Sequence, residues 1–502
     1  MQFNTRLKKL FQSQRWVATF TTTPKITWVL LFFGIIHLVG ITDPPLEMAH
    51  SWRQSFTAMV TRNYVEQGMD WFYPRIDMAG EKTGIVGAEF PLFNYFSVLL
   101  SRCFGYQHWY GRCVNLAFVL LGAYHFFFLI KGRFDERIAL YAVIILLSSS
   151  WFTFSRKIMP DTFSVALVIV GLRYGFDFWI SGRWSHWIVA VLCIALGVLS
   201  KIPAVSLLSV VLLAVFTGSW KNRNGYMLIF GSIVAVIPAL LWYFYWVPYL
   251  NHTFGYHLFF PKGLVEGWYE IVPLWRLLLE KFYFTSYYSF VALLLGLLGL
   301  ISLFQKKMKH EALALALISL VFGVFILKTG AVFPQHTYYS IPFVPVMALL
   351  AALGLNWIIS PNTGLLKSWG SKYGGYFILL LLVVEAIGNQ FHDHFIKPSE
   401  QYKNTLETEI QSVIPLDSKV VFVSSASPQE LFLLHRKGWT VFPEQFNSVT
   451  QCDEFRAKGA DFVVLNVAVL QREDALLSAH LSLKNAKLFY NSAFYQVYTL
   501  KK

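Results

Sequence analysis

The feature that most constrains this chain is a recurrence of apolar runs, each close to the length that crosses a lipid bilayer. They lie near residues 26–42, 113–131, 137–153, 162–180, 186–200, 203–218, 226–248, 286–304, 311–328, 338–358 and 374–390. The hydrocarbon layer is about 30 Å thick and calls for roughly 17–25 apolar residues per helix. Backbone in lipid must also satisfy its own hydrogen bonds, which favours helices. The expected fold class is a multi-pass α-helical membrane protein with about eleven transmembrane helices. Composition agrees: 14% of residues are charged, against about 25% in soluble domains. A water-soluble enzyme is excluded.

Charge placement sets the orientation. Short cytoplasmic loops collect Lys and Arg. With the amino terminus inside and the helices alternating, the inner segments hold Arg6, Lys8, Lys9, Arg15, Lys25, Lys131, Arg133, Arg137, Arg183, Lys221, Arg223, Lys306, Lys307, Lys309, Lys367 and Lys372. The short outer turns hold only Arg156, Lys157, Lys201 and Lys328. The N-terminus is therefore expected in the cytoplasm and the C-terminus outside the cell membrane. Much of the basic excess in the formal charge of +14 belongs to this pattern rather than to a phosphate-binding surface, so no nucleic acid is expected as partner. The first run lacks an A-x-A cleavage site and reads as a signal anchor.

Two domains are expected, a transmembrane part over 1–390 and a small extracytoplasmic α/β domain over 391–502. In the tail, KVVFVSS and DFVVLNVAV read as buried strands. PQELFLLHRKG and QCDEFRAKGA read as amphipathic helices, and KLFYNS with FYQVYTL as a closing strand pair. Outer loop 43–112 carries the polar residues of interest. Its segment EFPLFNYFSVLLSRCFG is too short to span and reads as a helix lying in the interface. Outer loop 249–285, dense in aromatic residues, reads as interfacial too. Cys103 and Cys113 could form a disulfide on an oxidising face, or be two small buried hydrophobes.

Charged side chains are costly near lipid, so polar residues at helix mouths are candidates for function. Asp43, Glu47, His50 and Arg53 follow the first helix, and Arg62 comes nine residues later, expected on the same sweep of helix. Asp161 opens a helix in SRKIMPDTF, Lys201 sits in the turn SKIP, and His336, Tyr338 and Tyr339 follow Lys328 in KTGAVFPQHTYYSIP. All fall on the outer side in this topology. Each has a plainer role to set beside it. Asp161 could cap its helix, Arg53 and Arg62 could meet headgroups, Lys201 could snorkel, and His336 could anchor at the interface. Arg173 and Glu385 lie deeper and could pair within the bundle or snorkel. The histidines of 249–285 show no metal-ligand spacing.

Five of these segments, in this order, resemble the type C glycosyltransferases, the superfamily of protein O-mannosyltransferases and the lipid A aminoarabinose transferase. TRNYVEQGMDW is similar to the first outer helix of that family and its terminal turn. EFPLFNYFSVLLSRCFG resembles the second, which begins Glu-x-Pro and so marks Glu89. MPDTF, GVLSKIPA and HTYYSIPFVPVMALLAALGL resemble later motifs and mark Asp161, Lys201, His336, Tyr338 and Tyr339. One departure stands out: where the family carries an Asp-Glu pair, this chain has Arg53-Gln54. HSWRQ resembles a bacterial variant of that signature, and the acidic partner is then sought at Glu47 first and Asp43 second.

The resemblance implies a sugar donor on a polyprenyl phosphate and a lipid, glycan or protein acceptor hydroxyl. It implies inversion at C1, no nucleotide, and leaves a divalent cation open. Glu47 or Asp161 would be the general base. The donor would be held by Asp43, His50, Arg53, Arg62, Glu89, Lys201, His336, Tyr338 and Tyr339. A transporter or flippase of lipid-linked sugars is the rival from another class, and it predicts internal repeats and midplane sites that the sequence does not display.

Overall fold

The computed structural model describes residues 24–48, 50–258, 261–360 and 373–500. Arg6, Lys8, Lys9, Arg15, Lys367 and Lys372, used above to set orientation, lie outside the described residues. In chain order come α1 (Pro24–Ile36), α2 (Ser51–Glu66), α3 (Leu92–Phe104), α4 (Tyr110–Arg133), α5 (Glu136–Ser148), α6 (Pro160–Ser181), α7 (Trp184–Ser200) and α8 (Arg223–Leu241). Then follow α9 (Leu264–Ile271), α10 (Trp275–Tyr283), α11 (Phe290–Gln305), α12 (Lys309–Thr329), α13 (Val344–Ile358) and α14 (Gly374–Gln390). The chain closes with β1 (Lys419–Val423), α15 (Gln429–Leu434), β2 (Lys437–Val441), α16 (Val449–Ala457), β3 (Phe462–Asn466), β4 (Lys487–Asn491) and β5 (Tyr495–Thr499).

Among the described residues, five segments are long and apolar enough to cross a membrane: Tyr110–Arg133, Pro160–Ser181, Arg223–Phe254, Lys309–Gln335 and Gly374–His394. Trp184–Ser200, Ile202–Phe216, Phe290–Gln305 and Val344–Ile358 are among the shorter apolar helices. Helix α3 has 13 residues, about 20 Å at the α-helical rise. That falls short of the hydrocarbon thickness.

Several runs depart from single helices for local reasons. The run over 137–153 breaks at Ser149, whose backbone is extended and whose side chain accepts from Trp151 N. The run over 203–218 alternates α and 3₁₀ turns. There Ser206 and Ser209 donate to carbonyls three residues earlier, at 2.9 and 2.6 Å, which favours the tighter coil. The run from 338 becomes α-helical only at Val344, with Pro345 in its first turn, where proline is tolerated.

The structure divides into two compact units. Of the described residues, the first holds those up to Ile41, Arg112–Trp242 and those from 261 to His394; the second holds those from Thr42 to Gly111, from Tyr243 to 258 and from Phe395 to 500. In the first, α6 packs along α7 and α11 along α13. A side chain at Gly299 or Gly354 would strike the carbonyl of Leu350 or Leu295 on the facing helix. Small residues at such crossings let membrane helices approach closely enough for dispersion to hold them.

The second unit contains a five-stranded sheet of order β2-β1-β3-β5-β4. The first three strands are parallel, and β5 and β4 are antiparallel. β3, FVVLN, is buried throughout, as a strand covered on both faces should be. One face packs on Phe446, Leu470, Ala479 and Leu483. The strands expected in KVVFVSS, DFVVLNVAV, KLFYNS and FYQVYTL are present. β2 is a correction. PQELFLLHRKG is not helical to its end, because α15 stops at Leu434 before the left-handed His435. KGWTV then pairs with β1 from Lys437↔Lys419 to Val441↔Val423. Five mixed residues carry no readable alternation, and the partner strand decides their state.

Candidate active site

In the first unit, Pro160 starts α6 and places Asp161 in its first turn. The N-cap position is Met159, with no side-chain cap bond, so Asp161 is not the cap. Lys201 ends α7 in extended conformation, and its Nζ lies 3.4 Å from Asp161 Oδ1. The same ammonium lies 5.8 Å from the Tyr338 ring centroid, within cation–π range. Ser164 Oγ, one turn along from Asp161, donates to Gly197 O at 2.7 Å and to Lys201 O at 3.2 Å. That bond ties the end of α7 to α6 and fixes the distance between the two charges. Tyr338 and Tyr339 sit edge to face at 4.8 Å, and His336 lies 5.2 and 5.1 Å from their rings.

Asp161, Ser164, Lys201, Phe325, Tyr338 and Tyr339 line a recess of about 10 Å³. A volume of that order holds one water. Further along the same elements lies an apolar cavity of about 220 Å³. α6 gives Val165 to the recess and Ile169 and Leu172 to the cavity; the 202–216 segment gives Ala204 and then Leu207; α12 gives Phe325 and Ile318. Arg133 and Glu311, an ion pair, are among the few charged residues on the cavity wall. One polar recess and one apolar space thus share three elements, which suits an amphiphile.

In the second unit, Glu47 is 1% exposed and forms an isolated antiparallel bridge with Ile396. His50 precedes α2 with φ 61°, a left-handed conformation that costs a non-glycine residue about 1–3 kcal/mol. Arg53, in the first turn of α2, is buried and pairs with Glu89. Its guanidinium lies 5.5 Å from the Phe56 ring centroid. Asp43 accepts from His108 Nε2 through its main-chain oxygen, at 3.1 Å.

Arg62 has a different surrounding from Arg53. Nine residues are two and a half helical turns, so the two side chains leave α2 on opposite sides, correcting the shared sweep. Arg62 Nη2 meets Asp77 Oδ2 at 2.7 Å and Nη1 donates to Phe432 O at 2.7 Å. Both partners lie within the second unit.

The partners of other charges are not legible from the sequence, since most are carbonyls or backbone amides of remote segments. Arg156 donates to Val39 O at 2.5 Å and Gly40 O at 2.6 Å, and Arg112 to Ile41 O at 2.9 Å. These cations collect the carbonyls that follow α1, where helix ends leave acceptors unmet. Lys157 donates to Asp393 O at 2.7 Å. Glu385 accepts from Ser289 Oγ at 2.6 Å and Phe290 N at 2.9 Å, capping α11 from another helix. Arg173 pairs one turn away with Asp177 at 2.9 Å. Cys103 and Cys113 are free thiols. Among the described residues, no three His, Cys, Asp or Glu side chains gather as a metal site would require.

Residues 88–242 match the family model described as dolichyl-phosphate-mannose-protein mannosyltransferase. No curated protein sequence matches the chain. The fold is similar to that of ArnT from Cupriavidus metallidurans bound to undecaprenyl phosphate. The TM-score is 0.60 at 13% identity, over 95% of this chain and 98% of that one. It is also similar to the Archaeoglobus fulgidus oligosaccharyltransferase in the apo form, with TM-score 0.56 at 12% identity, over 97% and 75% of the two chains. A third similar structure is the arabinofuranosyltransferase AftD from Mycobacteria, with TM-score 0.52 at 13% identity, over 95% and 42%. The resemblance to the type C glycosyltransferases is borne out in sequence over 88–242, which holds three of the five motifs, and the fold is similar over nearly the whole chain.

Proposed function

We propose that this chain is an integral membrane glycosyltransferase that moves a sugar from a polyprenyl phosphate to an acceptor hydroxyl at the extracytoplasmic face. The observation that carries the proposal is the Asp161–Lys201 pair at 3.4 Å, set in a recess lined by helices that also line an apolar cavity. A lipid-borne phosphate needs a cation beside an apolar channel, and the first unit supplies both. The family match over 88–242 and the fold likeness support the same class of reaction.

In the proposed step, Asp161 takes the proton of the acceptor hydroxyl as its oxygen attacks C1 of the sugar. The bond from C1 to the phosphate oxygen breaks, and the polyprenyl phosphate leaves with the electron pair. Attack opposite the leaving group inverts C1. Lys201 and His336 meet the charge that grows on the phosphate, as cationic clamps do in other transfers. Tyr338 and Tyr339 hold Lys201 and His336 in place. From the second unit, Glu47 is the rival base, and Asp43, His50, Arg53 and Glu89 are the rival donor-binding set. With no cluster of three metal-ligating side chains among the described residues, no step is assigned to a divalent cation. The proposed topology has eleven spans, the N-terminus in the cytoplasm and the C-terminal residues outside the cell membrane.

The test uses purified protein with polyprenyl-phosphate sugars and candidate lipid, glycan and peptide acceptors. Loss of a positioned base costs about 10²–10⁴-fold in rate, and Asp161→Asn should lose that much. Undiminished transfer by Asp161→Asn discards the base assignment, and Glu47→Gln run beside it decides between the two carboxylates. A chelator arm tests the cation. Movement of lipid-linked sugar across vesicles with no glycosidic bond cleaved would identify a flippase instead.

A further inference from the structure

In open α/β sheets the usual ligand crevice lies beyond the carboxyl ends of the strands, where successive connections leave in opposite directions. In the second unit that point falls between β1 and β3. The chain leaves β1 toward β2 on one side and β3 toward β4 and β5 on the other. The side chains there are polar and buried. Asn466, at the end of β3, donates to Ser424 Oγ at 3.4 Å and accepts from Tyr402 OH at 2.9 Å. Ser424 donates to Glu430 at 2.9 Å. Lys403 Nζ lies 2.8 Å from Glu430, 2.6 Å from Glu400 and 3.0 Å from Gln429 Oε1. Gln429 and Glu430 are 5% and 1% exposed.

The crevice is filled by the chain itself. Gln429 Nε2 donates to Pro45 O at 3.2 Å, and Trp52 Nε1 donates to Ala426 O at 3.2 Å. Met48 N donates to Phe395 O at 3.1 Å, beside the bridge of Glu47 with Ile396. Between Thr42 and His50 the described residues form neither helix nor strand of their own beyond that bridge. The placement of the Glu47 backbone therefore depends on partners supplied by the C-terminal residues. Lys403 also fixes which way the Gln429 amide points. An ammonium can only donate, so the amide oxygen must face it and the NH₂ must face Pro45.

We propose that Gln429, oriented by Lys403 and Glu430, is a positioning residue that holds the 42–54 segment and so sets Glu47 and the start of α2. This rests on the rival reading of the site, in which Glu47 and Arg53 serve the transfer reaction. The site where such sheets commonly bind a ligand here binds a stretch of the same chain, and the C-terminal sheet becomes part of the transferase machinery rather than an appended module.

The variant Gln429→Glu keeps size and the Lys403 contact, and replaces the donor to Pro45 O with an acceptor. Hydrogen exchange and transfer kinetics are measured on the whole purified protein, with Glu47→Gln as companion. The expected result is faster exchange confined to 42–54, with 419–423 and 462–466 still protected. Transfer kcat should fall about 10²-fold, the scale of a misplacement near 1 Å, with donor KM changed less than threefold. Lys403→Arg should stay near wild type and Lys403→Met should resemble Gln429→Glu. Unchanged exchange at 42–54 in Gln429→Glu, or loosening spread evenly over the sheet, overturns the positioning role whatever the activity. Full transfer by Glu47→Gln removes Glu47 from the reaction; the exchange result still decides whether Gln429 positions the segment.

Discussion

Arg62→Met separates donor binding from structural support, because the two roles predict opposite readouts. Arg62 and Asp77 are 5% and 4% exposed. Removing the guanidinium strands the Asp77 carboxylate, with Asn63 Nδ2 still donating at 2.9 Å. Breaking a buried pair from one side costs about 3–5 kcal/mol. The main-chain oxygen of Phe432 also loses its 2.7 Å donor but keeps the His435 N–H at 3.2 Å, so it is not left unmet and adds little to the cost. Methionine recovers part of this by packing on the Phe432 ring, which the guanidinium covered at 4.6 Å. The expected net loss is about 4 kcal/mol. At 2–4 °C per kcal/mol for a unit of this size, the second unit should melt roughly 12 °C lower. The double variant Arg62→Met/Asp77→Leu should regain at least half, since removing both members of a buried pair is close to neutral. Hydrogen exchange on 51–66 and 419–441, with thermal unfolding in parallel and donor KM beside them, reads the outcome. A variant with intact protection and a tenfold higher donor KM would refute the structural role and return Arg62 to the donor site. A double variant no better than the single would refute the pairing argument.

Lys201→Met should raise the donor KM and lower kcat, and lengthening the donor's isoprenoid should not restore either; steady-state kinetics with short and long donors checks this. Leu172→Trp, which fills the apolar cavity, should impair long-chain donors selectively and leave short-chain donors near wild type. Glu385→Ala removes the acceptor of Phe290 N and Ser289 Oγ while Ser289 still caps Ala292 N, and should cost about 1 kcal/mol, seen as a lower melting temperature in detergent. In the second unit, burial raises the Glu66 pKa but the hydrogen bond and charge of His435 outweigh it, so the net shift is downward. A depressed carboxylate stabilises fully above its unfolded value near 4.5, and its contribution should vanish as pH falls through the folded value. Burial likewise works to lower the Lys403 pKa, and Glu430 and Glu400 override it to hold it above 10.5. Its contribution should persist through neutral pH and fade only as pH rises through the raised value. Melting of the second unit between pH 3 and 11 checks both ends.

What the sequence determined by itself was the class of solvent and the type of residue that matters. Lipid cannot hydrogen-bond a backbone, so the need for long apolar runs is written locally, and most helices lie where those runs predict. The same locality exposed Asp161, Lys201 and the 336–339 turn, because a charge or a tyrosine pair beside lipid is conspicuous one residue at a time. Pairing is different. Arg53 meets Glu89, and Glu385 caps a helix that begins ninety-five residues earlier at Phe290. Arg156 serves carbonyls after α1, and Arg62 turns away from Arg53 to Asp77 and Phe432. β2 exists because β1 offers it an edge. Partner choice of this kind is a property of distances between remote segments. Only the folded chain has those distances, and the energy of an ion pair or a shared amide depends on them rather than on which residues stand next to each other in the chain.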